Sequence, residues 1–237
     1  RPADREDITL PGVQEDLLRA LYAENKNLVV VLLNGSPLAV NWAQEHAVAI
    51  LEAWYPGEEW GTAIARVLFG DYNPGGRLPI TFYRAIDQLP PFEDYGMAGH
   101  TYRYSLEEPL YPFGYGLSYT TFAYSDLVIE PEDIRADQSI TVRATVTNTG
   151  DRVGEEVVQC YVSDVASQFP VPIRHLEGFQ RMHLAPGESR EVAFTLTPRQ
   201  LAAFDDDGRR IVEPGGFVVS IGGGQPTLVA EGEYVTD

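Results

Sequence analysis

Apolar residues return at helical spacing from Pro11 to Tyr22, at Val13, Leu17, Leu18 and Leu21, with Glu15 and Asp16 in the first turn, where the helix dipole favours acids. The pattern predicts an amphipathic helix, broken at Asn25 to Asn27. Leu28 to Leu33 follows as an unbroken apolar run, the signature of a strand covered on both faces in a parallel sheet, and Asn34-Gly35-Ser36-Pro37 stops it. A second unit repeats this order: a short helix over Trp42 to His46, then a buried strand from Ala47 to Trp54, ended by Tyr55-Pro56-Gly57. Helical spacing resumes from Thr62 to Phe69, with Gly70 as the cap and Asn73-Pro74-Gly75-Gly76 as a turn. Alternating helices and strands predict an α/β layer on a mostly parallel sheet. Two or three strands are too few to stand alone, so the rest of the sheet is expected from other polypeptide.

Beyond Leu78-Pro79-Ile80-Thr81-Phe82 the texture changes. Residues 88–124 are dense in Pro, Gly, Tyr and Phe and show no period, which marks a functional or interfacial segment. From Ser125 onward, period-two segments appear at 127–129, 140–148, 155–163, 190–197 and 217–222, separated by turn residues at 149–151, 185–187 and 213–216. They predict an immunoglobulin-like or fibronectin III-like sandwich, and the lack of a cysteine pair selects the fibronectin-like form. The expected organisation is a partial α/β sandwich over 1–87, an interdomain segment over 88–124 and an all-β fibronectin III-like sandwich over 125–237.

The balance of 44% hydrophobic and 22% charged residues belongs to a folding chain. A net charge of −18, with Lys26 the only lysine, repels phosphate, so neither nucleic acid nor an anionic membrane is an expected partner. No apolar run reaches the roughly 20 residues of a membrane span. The single cysteine, Cys160, excludes an intrachain disulfide, and its apolar neighbours predict a buried strand position.

Several motifs in one order resemble glycoside hydrolase family 3. Asn34-Gly35-Ser36-Pro37, Ile50 to Glu58 and Val67 to Pro79 resemble the family's second domain. Leu89 to Tyr95, Thr101-Tyr102-Arg103-Tyr104 and Pro109 to Phe122 resemble its bacterial β-xylosidase branch. Val146 to Gly150, Leu176-Glu177-Gly178-Phe179 and Leu184 to Glu188 resemble the fibronectin III-like domain that closes many such enzymes. The resemblance implies a retaining hydrolase of β-linked glucosides or xylosides, which needs two carboxyl groups roughly 5 Å apart and no cofactor. It also implies that the nucleophilic aspartate lies on an N-terminal (β/α)8 barrel, expected here as a partner chain or segment, with a β-linked oligosaccharide or glycoside as substrate. The family's acid/base glutamate lies before the stretch Ala3 to Pro11, so neither catalytic carboxylate has a matching position. Whether the enzyme is made in two pieces or this is a fragment stays open at this point, as does the compartment: secreted, periplasmic and cytoplasmic in a bacterium all fit. A non-catalytic carbohydrate- or protein-binding module is the alternative.

Among individual residues, Glu93, Tyr95, His100 and Arg103 are the expected substrate-binding group, with Asp94 beside them, because aromatic faces next to charged groups suit sugar rings. Glu58 and Glu59 are expected in the first turn of a helix rather than as a catalytic pair. Trp54 is expected in the core, and Trp60 is the more open case. His46, His100, His175 and His183 are too scattered for a metal site. Gly222-Gly223-Gly224 reads as a strand-end loop, and Asp205-Asp206-Asp207-Gly208 as a tight turn rather than a calcium loop.

Overall fold

The computed structural model describes residues 6–229 and 233–235. Ala3-Asp4-Arg5, which opens the stretch expected to follow the acid/base residue, lies outside them. The chain divides into two compact units, one of Arg1–Tyr72, Ile80–Thr101 and Ser105–Pro112, the other of Asn73–Pro79, Tyr102–Tyr104 and Phe113–Asp237. Residues 88–124, expected as a segment between domains, are shared out between these units.

The first unit opens with α1 (Gln14–Glu24) and β1 (Val29–Leu32), followed by α2 (Asn41–His46), β2 (Ala49–Glu52) and α3 (Trp60–Leu68). Helix α1 keeps Glu15 and Asp16 in its first turn, and Asn25 ends it by turning extended while its N–H donates to Leu21 O. Strands β1 and β2 pair in parallel, Val29 opposite Ala49 and Leu32 opposite Glu52, and make up the whole of their sheet among the described residues. Only a small core gathers around them: Val30, Leu32, Leu38, Ala39, Val40, Ala43, Phe82 and Leu110. Phe82 forms an antiparallel bridge with Tyr111, which ties residues 80–82 to 110–111. No residue of α1 or α3 is buried, although both carry apolar faces.

Helix α4 (Thr101–Tyr104) has Thr101 in the first unit and its other residues in the second, where seven residues of β3 (Phe122–Glu130) pair antiparallel with β4 (Ile140–Asn148) around a bulge between Ser125 and Val128. Strand β4 also pairs with β7 (Ser189–Leu196), completing one sheet in the order β3-β4-β7. The facing sheet runs β10-β5-β6 and uses β5 (Gly154–Asp164), β6 (His175–Leu184) and β10 (Phe217–Gly222). Strand β4 alternates buried and half-buried residues along its length, as a strand with one core face must. Val142, Val146, Val158, Val162, Leu184, Val192 and Leu196 fill the space between the sheets. Two short ladders complete the fold, β8 (Ala203–Phe204) with β9 (Arg210–Ile211) and β11 (Thr227–Val229) with β12 (Glu233–Val235). Asp205-Asp206-Asp207-Gly208 is the turn between β8 and β9, as expected: Asp205 Oδ1 accepts from the N–H groups of Asp207 and Arg209.

Strand β6 is absent from the sequence pattern for a local reason. Cys160 lies opposite Gly178 and Tyr161 opposite Leu176, so Glu177 bulges out and the alternation is lost. Gly178 is required there, since a Cβ would stand 2.6 Å from Cδ1 of Phe194. Strand β5 departs from alternation for a different reason: it is buried on both faces from Val158 to Ser163. Residues 76–77 and 113–114 cover its outer side. Arg77 donates to Glu156 Oε2 at 2.9 Å and to Gly223 O at 3.1 Å. Tyr124 donates to the other oxygen of Glu156 at 2.9 Å. Gln159 donates to Gly114 O, and Tyr161 donates to Gln159 Oε1 at 2.6 Å. A buried ion pair is tolerated when the remaining hydrogen-bonding positions are filled in this way.

Cys160 is fully buried in β5, and burial pushes its thiol up to about 12. Its alkylation therefore requires the sandwich to open. Gly178→Ala should cost the sandwich about 1–3 kcal/mol through the forced displacement of Phe194. A maleimide reagent should then label Cys160 about tenfold faster or more than in the wild type; equal labelling rates would refute the steric account.

Candidate functional site

Parallel strands deliver their side chains and backbone termini to one edge, and in open α/β sheets ligands collect beyond the carboxyl ends of the strands. At that edge of β1 and β2 the structure assembles Asn34, Gly35, Glu52, Trp54 and Tyr55. Asn34 donates through Nδ2 to Ser36 O at 2.9 Å and to Glu52 Oε2 at 3.2 Å. Both partners are acceptors, which fixes the orientation of the amide and leaves Oδ1 buried without a donor. The other oxygen of Glu52 accepts from the Trp54 N–H at 3.0 Å. Burial raises the pKa of Glu52, against the opposing effect of these two hydrogen bonds. Trp54 has φ of 54°, a left-handed conformation that costs an aromatic residue roughly 1–2 kcal/mol. The Glu52 bond and an edge-on contact with Phe82, ring centroids 6.0 Å apart, hold it there. Trp54 is half-buried and packs on the core, as expected for it. Tyr55 lies across Gly35, where a Cβ would collide with its ring, yet 80% of the residue is exposed. Sequence inspection passed over Glu52 because it sits inside an apolar run; its position at a strand's carboxyl end, followed by Trp-Tyr-Pro-Gly, was the available signal.

Glu93, Tyr95 and His100 fall in the first unit, in the irregular stretch after the 3-10 turn Ile86–Gln88. Glu93 is exposed, and Tyr95 is 89% exposed beside Phe92 at 78%. Asp94 shapes the loop by accepting the Gly96 N–H at 2.8 Å. His100 is half-buried, its N–H donating to Met97 O, and its Nε2 is buried without a hydrogen-bond partner. Arg103 belongs to the second unit, where its carbonyl accepts from Ile173 N–H at 2.7 Å. The structure thus collects three of the four expected residues in one loop of the first unit and assigns Arg103 to the other unit. The neighbouring aromatics pack inside their own units: Tyr102 stacks on Phe113 at 4.1 Å and meets Tyr161 edge-on, while Phe82 meets Tyr111.

Glu59 directly precedes α3 and accepts from the Thr62 hydroxyl at 3.1 Å, a helix-start role, and Glu58 stands one residue earlier. Trp60 is 48% exposed on α3. Among the described residues no group of three or more His, Cys, Asp or Glu side chains could hold a metal ion, and no helix is long and apolar enough to cross a membrane. In the second unit, Tyr115, Leu117, Ser220, the Gly222–Gly224 loop and Gln225 line an open cavity of about 580 Å³. Arg77 and Gln159 bond the loop's Gly223 carbonyl from behind.

Residues 2–119 match the glycosyl hydrolase family 3 C-terminal domain, and residues 156–225 match a fibronectin type III-like domain. The chain is 44% identical to a periplasmic beta-glucosidase of Salmonella typhimurium, covering 93% of this chain and 30% of that protein. It is 42% identical to a beta-xylosidase of Formosa agariphila, covering 92% of this chain and 31% of the relative. Among solved structures, a beta-glucosidase of Erythrobacter marinus superposes with a TM-score of 0.84 at 43% identity, over 94% of this chain and 30% of that one. A beta-glucosidase of Listeria innocua in complex with glucose gives 0.81 at 32% identity, over 92% and 32%. The chain therefore spans about a third of the length of the relatives it matches.

Because the folded pKa of Glu52 is raised, the protonated form is the one that folding favours. Its contribution is fully present below the ordinary carboxylate range and is lost as pH rises through the raised value. Measured by tryptophan fluorescence, which reports only the first unit because Trp42, Trp54 and Trp60 all lie there, the wild type should gain stability relative to Glu52→Gln as pH falls from about 7 to about 4. A pH-independent difference would contradict the desolvation of Glu52.

Proposed function

Since the chain belongs to glycosyl hydrolase family 3, as a C-terminal part, we propose that it is one portion of a retaining β-glycosidase acting on β-linked glucosides or xylosides, working with an N-terminal (β/α)8 barrel. The observation that carries this reading is the unfinished state of the first unit. A two-stranded parallel sheet is not a self-sufficient layer, and the helices beside it leave large apolar residues in water: Leu17 at 57%, Trp60 at 48% and Phe69 at 84% exposed. Further polypeptide must cover them, and relatives three times as long supply its expected size.

On this reading the nucleophile comes from the barrel, and the present residues contribute substrate contacts. Tyr95 offers an exposed aromatic face to a sugar ring, Glu93 a carboxylate to its hydroxyl groups, and His100 an imidazole with an unused nitrogen. Arg103, which belongs to the second unit, is proposed as a substrate contact in its own right. The names of the relatives, beta-glucosidase and beta-xylosidase, support both sugars as candidates.

The chain by itself should release no p-nitrophenol from aryl β-glucosides or β-xylosides, while the assembly with its barrel should turn over at least one of them. Turnover by the isolated chain would show that the reacting carboxylates have been misplaced. In the active assembly, Tyr95→Ala should raise KM about tenfold, roughly 1.4 kcal/mol, with little change in kcat. An unchanged KM would remove Tyr95 from the rim.

A further inference from the structure

On the outer side of the β10-β5-β6 sheet of the second unit, one patch is left unfilled by side chains. Phe217, Val219 and Ile221 of β10 pack into the core between the sheets, so Ser220 and Gly222 face outward, opposite Tyr161 and Gln159 of β5. Tyr161 and Gln159 are large and reach the covering chain, Gln159 donating to Gly114 O at 3.0 Å. Ser220 and the glycines at 222–224 carry almost no side chain, and the space beside them is the cavity of about 580 Å³, completed by Tyr115, Leu117, Gln225 and Thr227. Such a volume lies within the range of about 300–1,000 Å³ in which small ligands are held.

Both walls of this cavity are fixed, and Arg77 connects them. Gly114 N–H donates to Leu78 O at 2.7 Å and Leu78 N–H to Tyr115 O at 2.8 Å, while Gly116 lies so close to Gly76 that a Cβ would collide with its carbonyl. Arg77, inside that same segment, donates to Gly223 O at 3.1 Å and pairs with the buried Glu156 at 2.9 Å. Gln159 donates to the same Gly223 carbonyl at 2.9 Å. A ligand entering here has no wall to order first, which removes one cost of binding.

The lining selects the ligand. Among the described residues it contains no Asp, Glu, Lys, Arg or His, although the chain carries 17 basic and 35 acidic residues. A metal ion would find no carboxylate or imidazole, and an anion would find no cation within a net charge of −18. A wholly apolar ligand would leave Ser220, Thr227 and the Gln225 amide unmatched; Gln225 Oε1 is already buried without a hydrogen-bond partner, a costly state that a donor relieves. We infer that this cavity is a binding site for a neutral sugar residue, with a sugar hydroxyl donating to Gln225 Oε1, the ring's C–H face against Tyr115 and the 71%-exposed Leu117, and the glycine loop admitting the ring close to its peptide groups. All of these residues belong to the second unit, and none is among Glu93, Tyr95, His100 and Arg103. The ligand class follows from the lining and not from the glycosidase reading, so either can fail without the other.

Calorimetric titration of the full chain with cellobiose, maltose and glucuronic acid tests this. Saturable binding of at least one of the two neutral disaccharides is expected, with Kd on the order of 1 mM, and glucuronic acid should bind at least about tenfold more weakly. Gly224→Leu fills the cavity without disturbing the backbone, because a Cβ there has Gly114 O as its nearest neighbour at 3.9 Å, an ordinary contact; it should abolish binding. Gln225→Leu keeps the bulk, removes the acceptor and should raise Kd about tenfold. Unchanged protection of Cys160 from maleimide shows that each variant keeps its sandwich closed, and if Gly224→Leu loses that protection, Gln225→Leu decides alone. No saturable binding of either disaccharide, equal binding by the wild type and a closed Gly224→Leu, an unchanged Kd in Gln225→Leu, or tighter binding of glucuronic acid than of both disaccharides overturns the inference.

Discussion

A parallel strand pair must be covered on both faces and continued at its edges, because its crossover helices are bound to those faces and its backbone groups need partners. The pairing of β1 with β2 is the interaction on which the first unit depends, and it meets this requirement only in part. Val30 and Leu32 are buried, but Val29 and Leu33 are 41% and 50% exposed, and no residue of α1 or α3 is fully buried. That shortfall connects fold to function. Under the proposed function it is the side on which further polypeptide is expected, and Asn34, Glu52 and Trp54 stand at the carboxyl edge of the strands, where such sheets meet ligands.

The second unit shows the opposite economy. Its two three-stranded sheets enclose a continuous apolar core, and buried polar side chains tie its segments together. Asn148 is fully buried: its Oδ1 accepts from the Thr120 hydroxyl and Gly150 N–H, and its Nδ2 donates to Arg152 O and Leu184 O. One side chain thereby ties the ends of β4 and β6 to the segment that enters β3. The Arg77–Glu156 pair does similar work on the outer side of β5, and Tyr124 and Gly223 occupy positions that would otherwise be unfilled. Residues 73–79, far from the sandwich in sequence, are thus part of its folding unit.

Two loop regions of the first unit are fixed in different ways. The exposed loop with Glu93 and Tyr95 has no secondary structure to fix it and relies on local hydrogen bonds such as Asp94 to Gly96. By contrast, the Glu52 rim is over-determined: its carboxyl group is held at both oxygens and Trp54, two residues on, is kept in a strained conformation.

What the amino-acid order determined by itself was everything that follows from local periodicity and steric punctuation. The helix of Val13 to Leu21, the apolar run ending at Asn34-Gly35, the alternation of Ile140 to Asn148 and the turn at Asp205 to Gly208 each depend on neighbours a few residues away. Tertiary structure decided what depends on distant partners. Strand β6 exists because Gly178 lets Phe194 approach; β5 is buried twice because Arg77 and Gly114 return to cover it; and Arg103 parts from Glu93, Tyr95 and His100 because the chain between them changes unit. The desolvation of Glu52 belongs to the same class. A carboxylate's pKa responds to the burial around it, and that burial is set by residues no short window of sequence contains.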